Sequence, residues 1–458
     1  MINEMTVQLL KEVEEEVTNF LSELIRINTT NPPGNETKAA KYLAENLLQE
    51  GFNCELYESA PERGNLIARL KGTGEKPSLL LLSHLDVVAA DAKEWSIDPF
   101  SGIVKDGFVW GRGALDMKGM TAIEVMTMKL LKRNNVKLKG DVILAATADE
   151  EKGGLAGTDY LLRNYPEKIR ADYVLNEGGG GPAIPTQKRN VYTVQTAEKG
   201  ILWFKVKAKG APGHASKPNT ADNAIMRMNK VIKKLGNYRS HILLVSTVKQ
   251  FLTEIAREDA TLQQCFSRLL ANPELSDQIL DELAKTAPQL AEEIRPRIRM
   301  TITPTMIHGG VKENVIPSEC EAVFDCRILP EQTSAEALSL IKDLLKDVDS
   351  EKLSFENLQV QEPSESPAET PLYDVITSVL KEFEPNCGTS PMLMTGGTDS
   401  RFFRRIGSIC YGFHPIHPDV PYGEMVRTVH GVNERISIEN LVFGTSVLYE
   451  AVRRFMSL

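Results

Sequence analysis

The chain has 458 residues, with 53 Lys plus Arg against 62 Asp plus Glu and a formal charge of −9. That length exceeds one compact core and suits two domains, while the acidic balance and the lack of a long basic run exclude a typical nucleic-acid binder. The opening MINEMTVQLLKEVEEEV lacks the basic start and apolar core of a signal peptide, and no apolar stretch reaches the ~20 residues that span a bilayer, so a soluble, cytoplasmic protein is expected, with no membrane partner.

From the start to about Ala197, apolar runs bounded by turn residues alternate with segments of helical period. KPSLLLLSHLDVV and KGDVILAATADEE predict fully buried strands, and KGMTAIEVMTMKLLKRN between them predicts an amphipathic helix. The order β-α-β implies an α/β domain, a mainly parallel sheet flanked by helices. From GILWFKVKAKG onward the pattern changes to β-α-β-β-α-β, the order of an α+β, ferredoxin-like domain. A polar, helix-prone stretch at about 237–293 interrupts it as an insertion. QEPSESPAETP then marks a return linker, after which strand and helix patterns resume. The expected organisation is a catalytic domain of residues 1–196 and 362–458, with a second domain, 197–361, inserted into it.

The predicted strands of the first domain end in acids and a histidine. Open α/β sheets bind ligands outside the carboxyl ends of their strands, so SHLD (His84, Asp86), TADEE (Asp149, Glu150, Glu151) and VLNE (Glu177) converge on one edge. Asp116 in GRGALDMKG precedes the predicted helix. Each has an ordinary reading as well: a core histidine with a capping acid, an acid favouring a helix N-terminus, solvated loop acids. Together they repel one another, and cations resolve that repulsion; a bridging carboxylate at Asp116 suits paired ions roughly 3.5 to 4 Å apart. The six cysteines, Cys54, Cys265, Cys320, Cys326, Cys387 and Cys410, form no C-x-x-C pair and read as reduced, packed thiols.

In order along the chain, SHLDVV, WSIDPF, GRGALDMKG, TADEEKGG, NEGGG, GAPGHASKP, ENVIPSECEAVFDCR, GGTDSR and VHGVNER make the sequence resemble the zinc-dependent aminoacylase and carboxypeptidase family, which includes acetylornithine deacetylase, succinyl-diaminopimelate desuccinylase, carboxypeptidase S and glutamate carboxypeptidase. The resemblance implies two Zn2+ ions, with Co2+ or Mn2+ able to substitute. His84, Asp116 and Glu177 would hold one, and Asp116, Glu151 and His430 the other. It further implies that Asp86 orients His84, that Glu150 is the general base, and that the Asp116–Met117 peptide is cis. His414 and His417 compete with His430 as the last ligand, but only His430 stands in the family's H-x-x-N-E context. His214 would stabilise the oxyanion from a partner subunit, making a homodimer through the inserted lid domain. Asn314, Arg327 and Arg401 would recognise a substrate carboxylate. The activity implied is hydrolysis of the amide of an N-acyl amino acid or short peptide. Alternatives are a biosynthetic deacylase acting on acetylornithine or succinyl-diaminopimelate, an aminopeptidase, and a binding protein that has kept the fold without catalysis.

Overall fold

The computed structural model describes residues 4–181, 184–185, 189–257, 260–420 and 422–457. They form two compact units, one of Met1–Thr196, Ser366–Met392 and Thr398–Leu458, the other of Ala197–Glu365 and Leu393–Gly397.

In the first unit the sheet runs Asn53–Glu58, Gly64–Leu70, Val142–Thr147, Leu79–His84, Tyr173–Asn176, Ile409–Gly412, Asn190–Glu198. The middle four strands are parallel; the outer pairings are antiparallel. The continuous apolar runs are explained by cover on both faces. Leu79, Leu81, Val142 and Leu144 enter one hydrophobic cluster, while Leu80, Leu82, Ile143 and Ala145 enter another, as the two-residue period of a strand requires.

Helix Lys118–Arg133 departs from the amphipathic expectation, since every residue from Lys118 to Leu131 is buried. It packs against strand Leu79–His84 on one side and against helices Glu4–Arg26 and Ile438–Ser457 on others, so no face is left for water. Burial therefore pushes the Glu124 carboxyl well above its ordinary range. A hairpin that the sequence reading missed, Val104–Lys105 with Phe108–Trp110, pairs onward with Arg435–Ser437. Its signal was present: Asp106 and Gly107 both take positive φ, as an Asp-Gly hairpin turn demands.

The second unit carries a four-stranded antiparallel sheet ordered Thr301–Gly309, Glu319–Ile328, Gly200–Lys209, Leu353–Gln361. Leu202, Phe204, Val206 and Ala208 share a cluster with residues of helices Ala224–Gly236 and Ser334–Leu344, which places both helices on one sheet face. Phe204 and Phe324 stack at 5.2 Å within it. The insertion forms helices Ser246–Ala256, Ala260–Ala271, Ser276–Ala284 and Pro288–Ile294. No helix among the described residues is long and apolar enough to cross a membrane, and all six cysteines are free thiols.

Candidate metal centre

The parallel strands deliver their acids to one edge. His84 closes Leu79–His84, Glu150 and Glu151 follow Val142–Thr147, and Glu177 follows Tyr173–Asn176. Asp116 stands at a cis peptide to Met117, just before helix Lys118–Arg133. His84 Nε2 lies 3.0 Å from Asp116 Oδ1 and 3.8 Å from Glu177 Oε2. His430 Nε2 lies 3.0 Å from Asp116 Oδ2 and 3.2 Å from Glu151 Oε1. Two groups of ligand-type atoms result, His84–Asp116–Glu177 and Asp116–Glu151–His430, each with its atoms within 4.8 Å of one another. Asp116 offers one oxygen to each.

The electrostatics match that geometry. Burial raises Glu177 to about 7 even with His84 beside it. Burial pushes Glu150 well above the carboxylate range, and the Glu177 charge adds to this. Asp116 resists the same burial because His430 and His84 hydrogen-bond it and hold it low. Hydrogen bonds to Asp116 and Glu151 lift His430 to about 10. Imidazole and carboxylate donors in two N,O,O sets sharing one acid suit a pair of divalent cations, which would neutralise the crowded carboxylates.

His84 Nδ1 bonds the Asp86 backbone carbonyl at 2.9 Å, leaving Nε2 to face Asp116 and Glu177. The Asp86 carboxylate is farther from the ring, at 3.5 Å. Its closer partners are the Glu150 N–H at 3.0 Å, the Glu151 N–H at 3.1 Å and Asn31 Nδ2 at 2.8 Å. Asp86 thus fixes the turn carrying both glutamates more directly than it fixes the imidazole. Asp149, for which the sequence suggested no role, sits at φ 75° and accepts from Arg63 Nη2 at 2.6 Å, Asn31 Nδ2 at 3.1 Å and the Ala156 N–H at 3.1 Å. It closes the other side of the same turn.

The sequence reading also passed over Glu434, four residues after His430. Its fully buried carboxylate accepts from the N–H groups of Gly113 (3.0 Å), Leu115 (2.8 Å) and Asp116 (3.0 Å) and from Arg112 Nη1 (2.6 Å). Arg112 Nη2 then donates to the Gly431 carbonyl at 2.7 Å. The Glu of H-x-x-N-E was the visible signal, but only the fold reveals what it holds.

Not every expected residue joins this cluster. Arg401 is 6 % exposed, and its guanidinium donates to the Thr398 carbonyl at 2.6 Å and the Gly153 carbonyl at 2.8 Å, with Asp399 Oδ1 3.7 Å and Glu150 Oε1 3.9 Å away. Arg401, expected at the substrate carboxylate, is thus bonded to backbone carbonyls of this unit through each terminal nitrogen. In the second unit, His214 is exposed and pairs across a short ladder with Val315, where the Ala215 N–H reaches the Asn314 carbonyl at 3.0 Å. The fold therefore brings His214 and Asn314 to one loop pair. Arg327 lies on strand Glu319–Ile328 and holds Asp325 at 2.7 Å and 3.0 Å. His414 is buried, its ring pulled down to about 4 by burial, and His417 packs on Phe443; neither belongs to the two ligand groups.

A sheet edge with two donor sets sharing one aspartate, on an α/β unit accompanied by an α+β unit, suits a metal-dependent hydrolase. Residues 80–454 match Peptidase family M20/M25/M40, and the chain belongs to that family. It is 28 % identical over 390 residues to the Homo sapiens N-fatty-acyl-amino acid synthase/hydrolase PM20D1, covering 83 % of this chain and 75 % of that protein. To Aminoacylase-1A of Rattus norvegicus it is 28 % identical over 414 residues, covering 89 % and 88 %. Among solved structures, the M20 metallo-carboxypeptidase Sso-CP2 of Sulfolobus solfataricus shares the fold at TM-score 0.72 and 21 % identity over 97 % of this chain and all (100 %) of that one. A dinuclear metal-binding M20 peptidase of Bacillus subtilis shares it at TM-score 0.62 and 13 % identity, covering 98 % and 100 %. The protein is accordingly a hydrolase of amide bonds, of the aminoacylase, dipeptidase and carboxypeptidase type.

Proposed function

We propose that the protein hydrolyses the amide of N-acyl amino acids or short peptides that carry a free carboxylate next to the scissile bond, using two zinc ions. The observation that carries this reading is the pair of ligand groups sharing Asp116, with Glu150 beside Glu151 but outside both groups. His84, Asp116 and Glu177 would hold one cation, and Asp116, Glu151 and His430 the other. When bound, such ions polarise a carbonyl and lower the pKa of water toward neutrality.

The remaining steps fall to the chain. Glu150 accepts a proton from the attacking water at its carboxylate and returns it to the leaving nitrogen as the C–N bond breaks. Asp86 orients Glu150 by holding its N–H, so that the proton carrier and the neighbouring ligand move as one turn. The roles of His214 at the oxyanion and of Asn314 and Arg327 at the substrate carboxylate rest on the family motifs, and a guanidinium suits that carboxylate because it can bond both oxygens. A homodimer through the second unit accompanies this reading. Strand Thr301–Gly309 is an edge of its sheet and exposes Met306 and Ile307, each 54 % accessible, the kind of edge that pairs with a second chain.

Replacing Glu150 by Ala tests the proposal. Zinc content should persist while turnover of an N-acyl amino acid and dipeptide panel falls by about 10²- to 10⁴-fold. Retained turnover would remove Glu150 from its role, and the panel itself separates deacylase from peptidase.

A further inference from the structure

The guanidinium of Arg401 lies 3.9 Å from Glu150 Oε1 and takes no part in the proposed reaction. We propose that Arg401 is a positioning residue for Glu150, holding the proton carrier in place from behind instead of contacting the substrate carboxylate. This deepens the proposed function and rests on its assignment of Glu150.

Three observations support it. First, Nη2 donates at 2.8 Å to the carbonyl of Gly153, the residue that closes the Glu150–Lys152 turn, so the arginine pins the C-terminal side of the turn while Asp86 pins its N-terminal side. Second, Nη1 is anchored at 2.6 Å on the Thr398 carbonyl and lies 3.9 Å from Glu150 Oε1, which sets the guanidinium charge beside the carboxylate at a fixed place. A buried cation needs compensating negative charge, and the nearby acids are Glu150 and Asp399, whose Oδ1 lies at 3.7 Å. Third, Asp399, two residues before Arg401, is built against the segment that follows Glu150. Asp399 Oδ2 accepts from Thr158 Oγ1 at 2.6 Å, and a Cβ on Gly154, at φ +70°, would meet Asp399 Oδ1 at 2.3 Å. The Gly153 carbonyl of the turn and the Thr398 carbonyl together set where the guanidinium lies relative to Glu150.

The test is a kinetic split on the zinc-loaded full chain, with N-acetyl amino acids and dipeptides as probes. In Arg401→Lys, kcat should fall by about 10²-fold, the cost of a misplaced catalytic group, while KM stays within about twofold and zinc content is unchanged. In a Glu150→Ala background the same substitution should cost almost nothing further, because the group it positions is gone. A KM increase of tenfold or more with kcat intact would overturn the proposal in favour of substrate contact. An equal loss of turnover in both backgrounds would overturn it in favour of general destabilisation. Arg401→Ala with added guanidinium gives a second route: recovery of kcat supports positioning, and recovery of KM alone opposes it. Failure of the underlying reading looks different, since Glu150→Ala would then retain turnover whatever Arg401 does.

Discussion

Glu150 and Glu151 are neighbours because one turn serves two needs, a ligand-type oxygen and a carboxylate that stays uncommitted. Asp86 takes the N–H of each, and Asp149 ties the turn to Arg63 and Asn31, so Asp149 anchors the turn that presents the two glutamates. Buried charge also matters far from this turn. Lys199 is buried in the second unit, its ammonium donating to the Pro296 and Arg299 carbonyls, and burial pulls it down to about 7 from 10.5. The unfolded chain therefore holds more protons than the folded one between about pH 7 and 10.5, so this residue makes stability rise with pH across that window. Lys199→Met should flatten that rise relative to the parent in denaturant melts at a series of pH values; parallel curves would show that Lys199 titrates normally in the fold.

At the level of elements, the site depends on segments distant in sequence being held at one edge. The GRGALDMKG loop and the His430 segment are joined by the hairpin strand Phe108–Trp110 pairing with Arg435–Ser437 and by the buried Glu434–Arg112 pair. Removing charge from such a pair leaves a buried cation and underused N–H groups. Glu434→Gln should lower unfolding free energy by about 3 kcal/mol. Because Glu434 holds Asp116 and, through Arg112, Gly431 beside His430, it should also weaken the second cation more than the first. Zinc stoichiometry measured against a competing chelator reads this directly: two equally tight ions in the variant would count against it. By contrast, the capping box of Thr333 and Glu336 on helix Ser334–Leu344 has only its own helix to support, and nothing ties it to metal.

For the whole molecule, the unit that carries both donor sets is accompanied by a second unit whose sheet has an exposed edge strand. In the proposed homodimer, Ile307→Asp would bury an unpaired charge where strand Thr301–Gly309 meets its partner. Sedimentation should then shift from dimer toward monomer while zinc content stays unchanged; an unaltered dimer would place the interface elsewhere.

The sequence by itself determined the α/β and α+β patterns, the strand ends bearing His84, Glu151 and Glu177, and, through motif order, Asp116 and His430. These are legible because strand burial writes a period into the chain and because the chemistry demands particular side chains at strand termini. Only the tertiary structure decided that Lys118–Arg133 is enclosed on every side, that Asp86 serves the glutamate turn, that Glu434 clamps Asp116 and that Arg401 faces Glu150. Each of those depends on partners dozens to hundreds of residues away, and an arginine, a glutamate or a helical period reads the same in sequence whether water or a buried carbonyl lies opposite. Local pattern sets which groups are available; long-range packing sets what they touch.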